Sequence, residues 1–310
     1  MDIRFCWIAL LFSALLMACS GNREAQTLAA HVAECAPMPP LPAYSAEPLE
    51  PIGPVFRDSL LINRFSNTAL ATASVCRLLP ALRELVRAEQ RGGSTAPARQ
   101  RIDERLTVAT LELASVAAEL DCHEETADQV ADYLAEQKNS RTRTLTLMSI
   151  LIGAFGGVLT SVMALRNVGK QSIKYSAIGF GLLGAGIGLT SLTSNQQVTI
   201  RHERNPLRDV LNGPANSAYF PPLVWAYLNQ PNERNPKNRS IRQHLLSRWA
   251  AFEGVTKTAD RNKLVGAAGD YTADQLHRRA NLFDQLESEV NLMYYDLQRL
   301  VRETNARSSR

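Results

Sequence analysis

Residues 144–165, TLTLMSILIGAFGGVLTSVMAL, run for 22 positions without a charge, and twelve of them are Leu, Ile, Val, Phe or Met. A stretch this long and apolar has few folded destinations: a deep protein core, or a bilayer, whose hydrocarbon takes about 20 helical residues to cross. A second uncharged run, residues 175–194, follows a short basic spacer. Five glycines dilute it, so it enters a membrane only with a partner. Together the two runs predict a Gly-rich, transmembrane-type two-helix hairpin over residues 144–200, with the lipid bilayer as its surroundings. Arg141 and Arg143 flank its start, and Arg166, Lys170 and Lys174 fill the spacer. A spacer with three positive charges and no acid fits a cytoplasmic turn, with both long arms on the other side.

The glycines suggest a contact between the two helices. Ser149, Gly153, Gly157 and Ser161 form an every-fourth row of small residues on the first, and Ala177, Gly181, Gly184 and Gly188 line one face of the second. Small faces let helix backbones approach closely where lipid removes the hydrophobic drive to associate. Two other readings compete. Gly179-x-Gly181-x-x-Gly184 is a literal GxGxxG, with Glu203 twenty-four residues after its first glycine and the apolar Val198-Thr-Ile200 in the place of a second strand. In a dinucleotide fold those glycines would admit a pyrophosphate, and the acid would hold a ribose. The helix it would open, AGIGLTSLTSN, is weak, and no further βαβ pattern follows, so no cofactor is expected. The remaining alternative is a soluble glycine-zipper hairpin shielded by other helices, which the cost of glycine in a helix interior disfavours.

Three other stretches carry 3–4 apolar spacing. Leu61, Phe65, Thr68, Thr72, Val75, Leu79, Leu82 and Val86 predict one helix, kinked at Pro80. Ile102, Leu106, Ala109, Leu113, Val116, Leu120, His123, Ala127, Val130 and Leu134 predict a second, with only His123 off-type. Run on into the apolar segment, this helix would reach roughly 100 Å at 1.5 Å per residue. Thr272 and Gln275 read as a capping box before a third stripe, Phe283, Leu286, Val290, Met293, Leu297 and Leu300. With 45% hydrophobic but only 6% aromatic residues, composition also favours helices. The expected fold is all-α, an elongated heptad-patterned helical stalk or bundle with a Gly-rich hydrophobic hairpin. Residues 56–143 would form the stalk and 241–310 the C-terminal helices. Between hairpin and C-terminal helices, residues 201–240 are rich in Asn and Pro, with Tyr219, Phe220, Trp225 and Tyr227 as a local core rather than a membrane-interface belt.

The N-terminus reads as an export signal: Arg4, then an apolar run over residues 5–18 broken only by Ser13. Its end, Leu16-Met17-Ala18-Cys19, resembles a bacterial lipobox, which implies cleavage after residue 18 and lipidation of Cys19. Residues 19–55 would follow as a Pro-rich, extended tether. Export implies an oxidising compartment, so Cys35, Cys76 and Cys122 should give one disulfide of unassigned pairing and one spare thiol. His123 beside Cys122 has no metal-ligand spacing around it, and no metal is expected.

The lipobox together with residues 149–188 is similar to the glycine-zipper two-helix lipoproteins of bacterial envelopes. The wider layout, long helices with one apolar hairpin, resembles α-helical pore-forming toxins of the cytolysin type. These resemblances imply a lipid-anchored envelope protein with a structural or interaction role, either self-associating or holding an envelope partner. The alternative is a pore-forming or translocation component with regulated insertion. No catalytic constellation stands out, so no enzyme is expected. The mild net charge of +4, with basic residues spread along the chain, gives no nucleic-acid footprint. Ser20 after Cys19 suits outer-membrane sorting. Insertion of a strongly apolar helix precedes that sorting and tilts the expectation to the inner membrane.

Overall fold

From Ala96 to the first glycine at Gly153 the chain contains one proline, Pro97, and it sits in a helix's first turn, where its missing N–H breaks no bond. Nothing interrupts helix propagation, and the computed structural model shows a single helix of 70 residues, Ala96–Leu165. The structure describes residues 35, 49–193, 196–232, 235–255 and 258–306; Cys19 and most of the Pro-rich segment lie outside them. Among the described residues the fold is all-α. The elements are α1 (Ile52–Val55), α2 (Ser59–Ile62), α3 (Asn67–Val75), α4 (Leu79–Arg91), α5 (Ala96–Leu165), α6 (Lys170–Thr193), β1 (Val198–Arg201), α7 (Pro206–Asn212), α8 (Pro222–Asn229), α9 (Ile241–Phe252), α10 (Thr258–Val265), β2 (Ala268–Tyr271) and α11 (Ala273–Asn305). β1 and β2 pair as a two-stranded sheet.

The described residues divide into two compact units. One takes in His31–Ala127, Arg201–Gly269 and Arg278–Arg310. Its core is the set of stripes read from the sequence: Ile102, Ala109, Leu113, Val116 and Leu120 of α5 are buried with Phe283, Leu286, Val290, Met293, Leu297 and Leu300 of α11. Trp249, Tyr227 and Phe283 are among the largest side chains fully enclosed. Phe220 and Trp225 stack with ring centroids 5.7 Å apart, and the Tyr227 hydroxyl donates to Asp296 Oδ2 at 3.0 Å. These rings therefore form a core. The helix start at Ile241 is held by a reciprocal box: Gln243 N donates to Ser240 Oγ, and Ser240 N to Gln243 Oε1.

The first stripe differs from expectation. It folds as α2, α3 and α4 instead of one helix with a kink. Ser66 caps α3 by accepting from Ala69 N at 3.2 Å, while Arg77 adopts a left-handed conformation (φ 55°) that closes the end of α3. Pro80 then lies in the first turn of α4 and starts a helix rather than bending one. Leu61, Phe65, Thr72, Val75, Leu79, Leu82 and Val86 are still buried, because short helices can present the same stripe.

The Pro-rich segment joins the body earlier than residue 55. Val55 is 1% exposed, Ser74 Oγ donates to the Glu50 carbonyl at 2.9 Å, and Arg83 bridges Glu50 (3.0 Å) and Asp58 (2.8 Å). The Arg83 guanidinium beside Asp58 holds that carboxyl below its ordinary range. Further back, Cys35 is buried and bonded to Cys122, which resolves the pairing, and Cys76 is the spare thiol. Burial, with the Glu112 charge adding, pushes the Cys76 thiol up to about 12, so it is an inert core side chain. With Cys122 in a disulfide, a Cys122–His123 metal pair is excluded.

The other unit takes in Asp128–Ile200 and Asp270–His277. Val130, Ala131, Leu134, Val198, Ile200, Tyr271 and Leu276 are buried in it. The box read from Thr272 and Gln275 forms at the start of α11: Thr272 N donates to Gln275 Oε1 at 3.2 Å, and Gln275 N to Thr272 Oγ1 at 3.4 Å.

A polar seam runs through the larger unit. Arg204 Nε donates to Glu119 Oε1 at 2.7 Å, and Asn205 accepts from Arg279 Nη2 at 3.3 Å. The Phe283 ring stacks with His123 (5.1 Å) and carries the Arg279 guanidinium 5.0 Å from its centroid. His123 is thus a core residue. Beside this seam His202 is 7% exposed. Its burial, reinforced by the charges of Arg279 and His123, depresses its pKa to about 3.

The sign of the resulting pH effect follows from linkage. Between its ordinary value and about 3, the unfolded chain takes up a proton on His202 that the folded chain refuses, so stability falls as pH falls. Chemical unfolding followed by circular dichroism should show a loss of about 2.5 kcal/mol from this group between pH 7 and pH 4.5. His202→Gln should flatten that part of the profile; an unchanged slope would contradict the assignment.

Candidate membrane-inserting hairpin

Helix α5 ends because Asn167 takes a left-handed conformation (φ 53°), with Val168 N donating to Met163 O at 3.0 Å and Asn167 N to Ala164 O at 3.1 Å. Gly169 follows, and its carbonyl accepts from Ser172 N and Ile173 N as α6 begins. The turn is therefore short, and the second uncharged run folds back as a helix of 24 residues. α5 and α6 are both long and apolar enough to cross a membrane.

The residues that bring the two helices together are only partly those read from the sequence. A Cβ on Gly156 would lie 2.6 Å from Phe180 Cβ and 2.7 Å from its Cγ, so only glycine admits the Phe180 ring there. One on Gly184 would stand 3.4 Å from the Ser149 carbonyl oxygen, and Phe155 meets Phe180 edge-on at 6.2 Å. Of the eight small residues, Ser149 and Gly184 sit at this contact. Side chains built on Gly153, Gly157, Gly181 or Gly188 would meet nothing within 4 Å, and Ser161 and Ala177 are exposed.

The reason is helical geometry. Steps of four advance about 400°, so an every-fourth row drifts roughly 40° per step and leaves the contact after two turns. From residue 144 the half-buried and buried positions of α5 step by 4 and 3, Leu145, Ser149, Ile152, Gly156, Leu159 and Met163, with Thr160 beside Leu159. On α6 the expected row has the right period, but its first members sit one residue from the half-buried positions Ser176 and Phe180. Gly156 falls outside the expected rows because its partner is a large ring rather than another small residue.

The opposite faces are large and apolar. Leu151, Val158, Ile178, Leu182 and Leu189 are each more than half exposed. Of the most apolar 18-residue windows, 6% is buried in α5 and 0% in α6. A core helix shielded by neighbours would show the reverse. Several hydroxyls of this stretch bond within their own helix: Thr144 to Ser140 O (3.0 Å), Thr160 to Gly156 O (2.8 Å), Ser161 to Gly157 O (2.8 Å) and Thr190 to Ile187 O (2.8 Å). Those groups need no water.

The GxGxxG residues Gly179, Gly181 and Gly184 lie mid-helix in α6, not in a strand-to-helix turn. Their amides are directed along the helix and cannot cradle a phosphate. The described acids able to approach one cation, Asp121, Glu124 and Glu287, are exposed or half-buried. Burial and the nearby charges of Asp121 and Asp284 raise the Glu287 carboxyl, its hydrogen bond to Asn291 opposing this. The shift is first a burial effect to which neighbouring acids add, and it does not point to an ion.

Overpacking the Gly156 contact should destabilise the hairpin by about 1–3 kcal/mol. In detergent micelles titrated with a denaturing detergent, Gly156→Leu should unfold earlier, Gly186→Leu, where a side chain would meet nothing within 4 Å, should behave as wild type, and Phe180→Ala should rescue Gly156→Leu. Equal effects at Gly186 and Gly156 would contradict this interface.

Compared with known proteins, the chain matches no protein family, no curated protein and no solved structure.

Proposed function

We propose that this chain is a lipid-anchored protein of the bacterial cell envelope that inserts the α5–α6 hairpin into a membrane and serves there as a scaffold. The observation that carries the reading is the outward-facing apolar surface of the two helices, 6% and 0% buried over their most apolar windows. The 22 uncharged residues ending α5 measure about 33 Å, against roughly 30 Å of hydrocarbon. Internally bonded hydroxyls support the same reading, and the Cys35–Cys122 disulfide suits an exported chain in an oxidising compartment. Lipidation at Cys19 supplies the anchor. Glycines 153 and 157, turned away from α6, have the spacing that lets a second copy of the helix approach closely. Self-association or an envelope partner is therefore the interaction expected, and the inner membrane is the compartment this reading favours. Its role is structural rather than enzymatic.

Alkaline carbonate extraction of cell membranes tests the hairpin separately from the anchor. Wild-type chain and Cys19→Ala should both stay in the membrane pellet. Release of Cys19→Ala as a soluble protein would sink the reading. Purified chain reconstituted with dye-loaded vesicles should remain bound without releasing dye; leakage would instead favour a pore.

A further inference from the structure

The charge of this molecule is unevenly placed in a way that bears on which membrane it meets. Residues 137–202 contain seven basic residues, Lys138, Arg141, Arg143, Arg166, Lys170, Lys174 and Arg201, and no Asp or Glu. The whole chain has 34 basic and 30 acidic residues, so the remainder holds 27 and 30 and is net acidic. The entire positive surplus lies in the hairpin and its flanks. Arg166, Lys170 and Lys174 are all exposed around the turn between α5 and α6.

Among these charges stand exposed apolar groups: Leu165 at 83%, Val168 at 37% and Tyr175 at 67%. Long basic side chains alternating with an aliphatic and an aromatic residue match the headgroup level of a bilayer, where stems and rings lie in the acyl boundary and charges reach the phosphates. A purely acidic protein partner would match the charges and leave Leu165, Val168 and Tyr175 without an apolar counterpart.

We infer that the basic turn over residues 166–174 is a docking site for anionic phospholipid headgroups and makes membrane association of the hairpin dependent on an anionic bilayer. This rests on the membrane-inserting reading given above. Each Lys or Arg near an anionic surface contributes about a fivefold gain in partitioning, so the three together correspond to roughly a hundredfold. The attraction is screened by salt, since the Debye length shortens from about 10 Å at 0.1 M towards about 3 Å at 1 M.

The test uses the full chain and vesicle flotation, with pure phosphatidylcholine against phosphatidylcholine mixed with phosphatidylglycerol. Every form carries Cys19→Ala, so that no lipid anchor contributes and wild type refers to the turn. Wild type should partition on the order of a hundredfold more strongly into the anionic vesicles. Arg166→Gln/Lys170→Gln/Lys174→Gln should lose that preference, and Arg166→Lys/Lys170→Arg/Lys174→Arg should keep it. An intact Cys35–Cys122 disulfide and unchanged far-ultraviolet circular dichroism certify that the Gln variant is folded. Equal partitioning of wild type into both vesicles overturns the inference while leaving membrane insertion standing. So does retention of the preference by the Gln variant. Displacement by inorganic phosphate at matched ionic strength would overturn it in favour of a free-anion site. Failure to float with any vesicle would overturn both this inference and the membrane reading on which it rests.

Discussion

The uninterrupted backbone hydrogen-bond ladder of α5 is the constraint on which the rest depends. A helix satisfies its own N–H and C=O groups wherever it goes, so the same 70-residue element can carry two surfaces suited to different surroundings. Up to Arg143 charged residues recur on its exposed side, and its apolar stripe is buried among other helices. From residue 144 the charges cease and the large apolar side chains turn outward. No proline, glycine or cap marks this change. Only the side-chain chemistry alters, and the ladder carries through it. The short turn at residues 166–169 matters for the same reason, since it returns the chain with few groups outside a helix to be satisfied.

Much of this is legible in the sequence because bulky apolar residues report their own phase. The stripes from Ile102 to Leu134 and from Phe283 to Leu300 are buried nearly residue for residue, with only Leu106 half-buried. His123 breaks the pattern by type and yet belongs to it, because stacking on Phe283 makes an imidazole acceptable inside a core. Glycines report phase poorly. They have no side chain to bury, and which one lies at a contact depends on what approaches it, here the Phe180 ring over Gly156. An every-fourth row of small residues looks orderly along the chain and yet drifts around the cylinder.

Local conformational choices are legible only where two residues act together. The Ser240–Gln243 and Thr272–Gln275 boxes form as reciprocal pairs, and both carry the Ser/Thr-x-x-Gln spacing that announces such a box. Pro80 departs from expectation because proline's preference has two outlets: it bends a helix from inside or begins one. The choice between them rests on Arg77, whose left-handed backbone nothing in its side chain announces. The disulfide pairing is hidden for a related reason. Cys35 and Cys122 are 87 positions apart, and only the folded body brings their Cα atoms to 5.7 Å. The polar seam around His202 and Arg279 likewise joins distant segments that share no motif.

The Cys35–Cys122 bond also decides how the molecule bears load. It closes a covalent loop that contains α1 to α4 and the first part of α5. Tension applied upstream of Cys35 crosses the sulfur bridge directly into α5 at Cys122. The four short helices inside the loop lie off that line of force, so pulling on the N-terminal side cannot peel them away while the bridge is intact. Reduction would reroute the same pull through α1, whose hold on the body includes Ile52, Val55, the Ser74–Glu50 hydrogen bond and the Glu50–Arg83 pair. Oxidation thus converts a chain that would unravel from its N-terminal end into one that transmits tension to its longest helix.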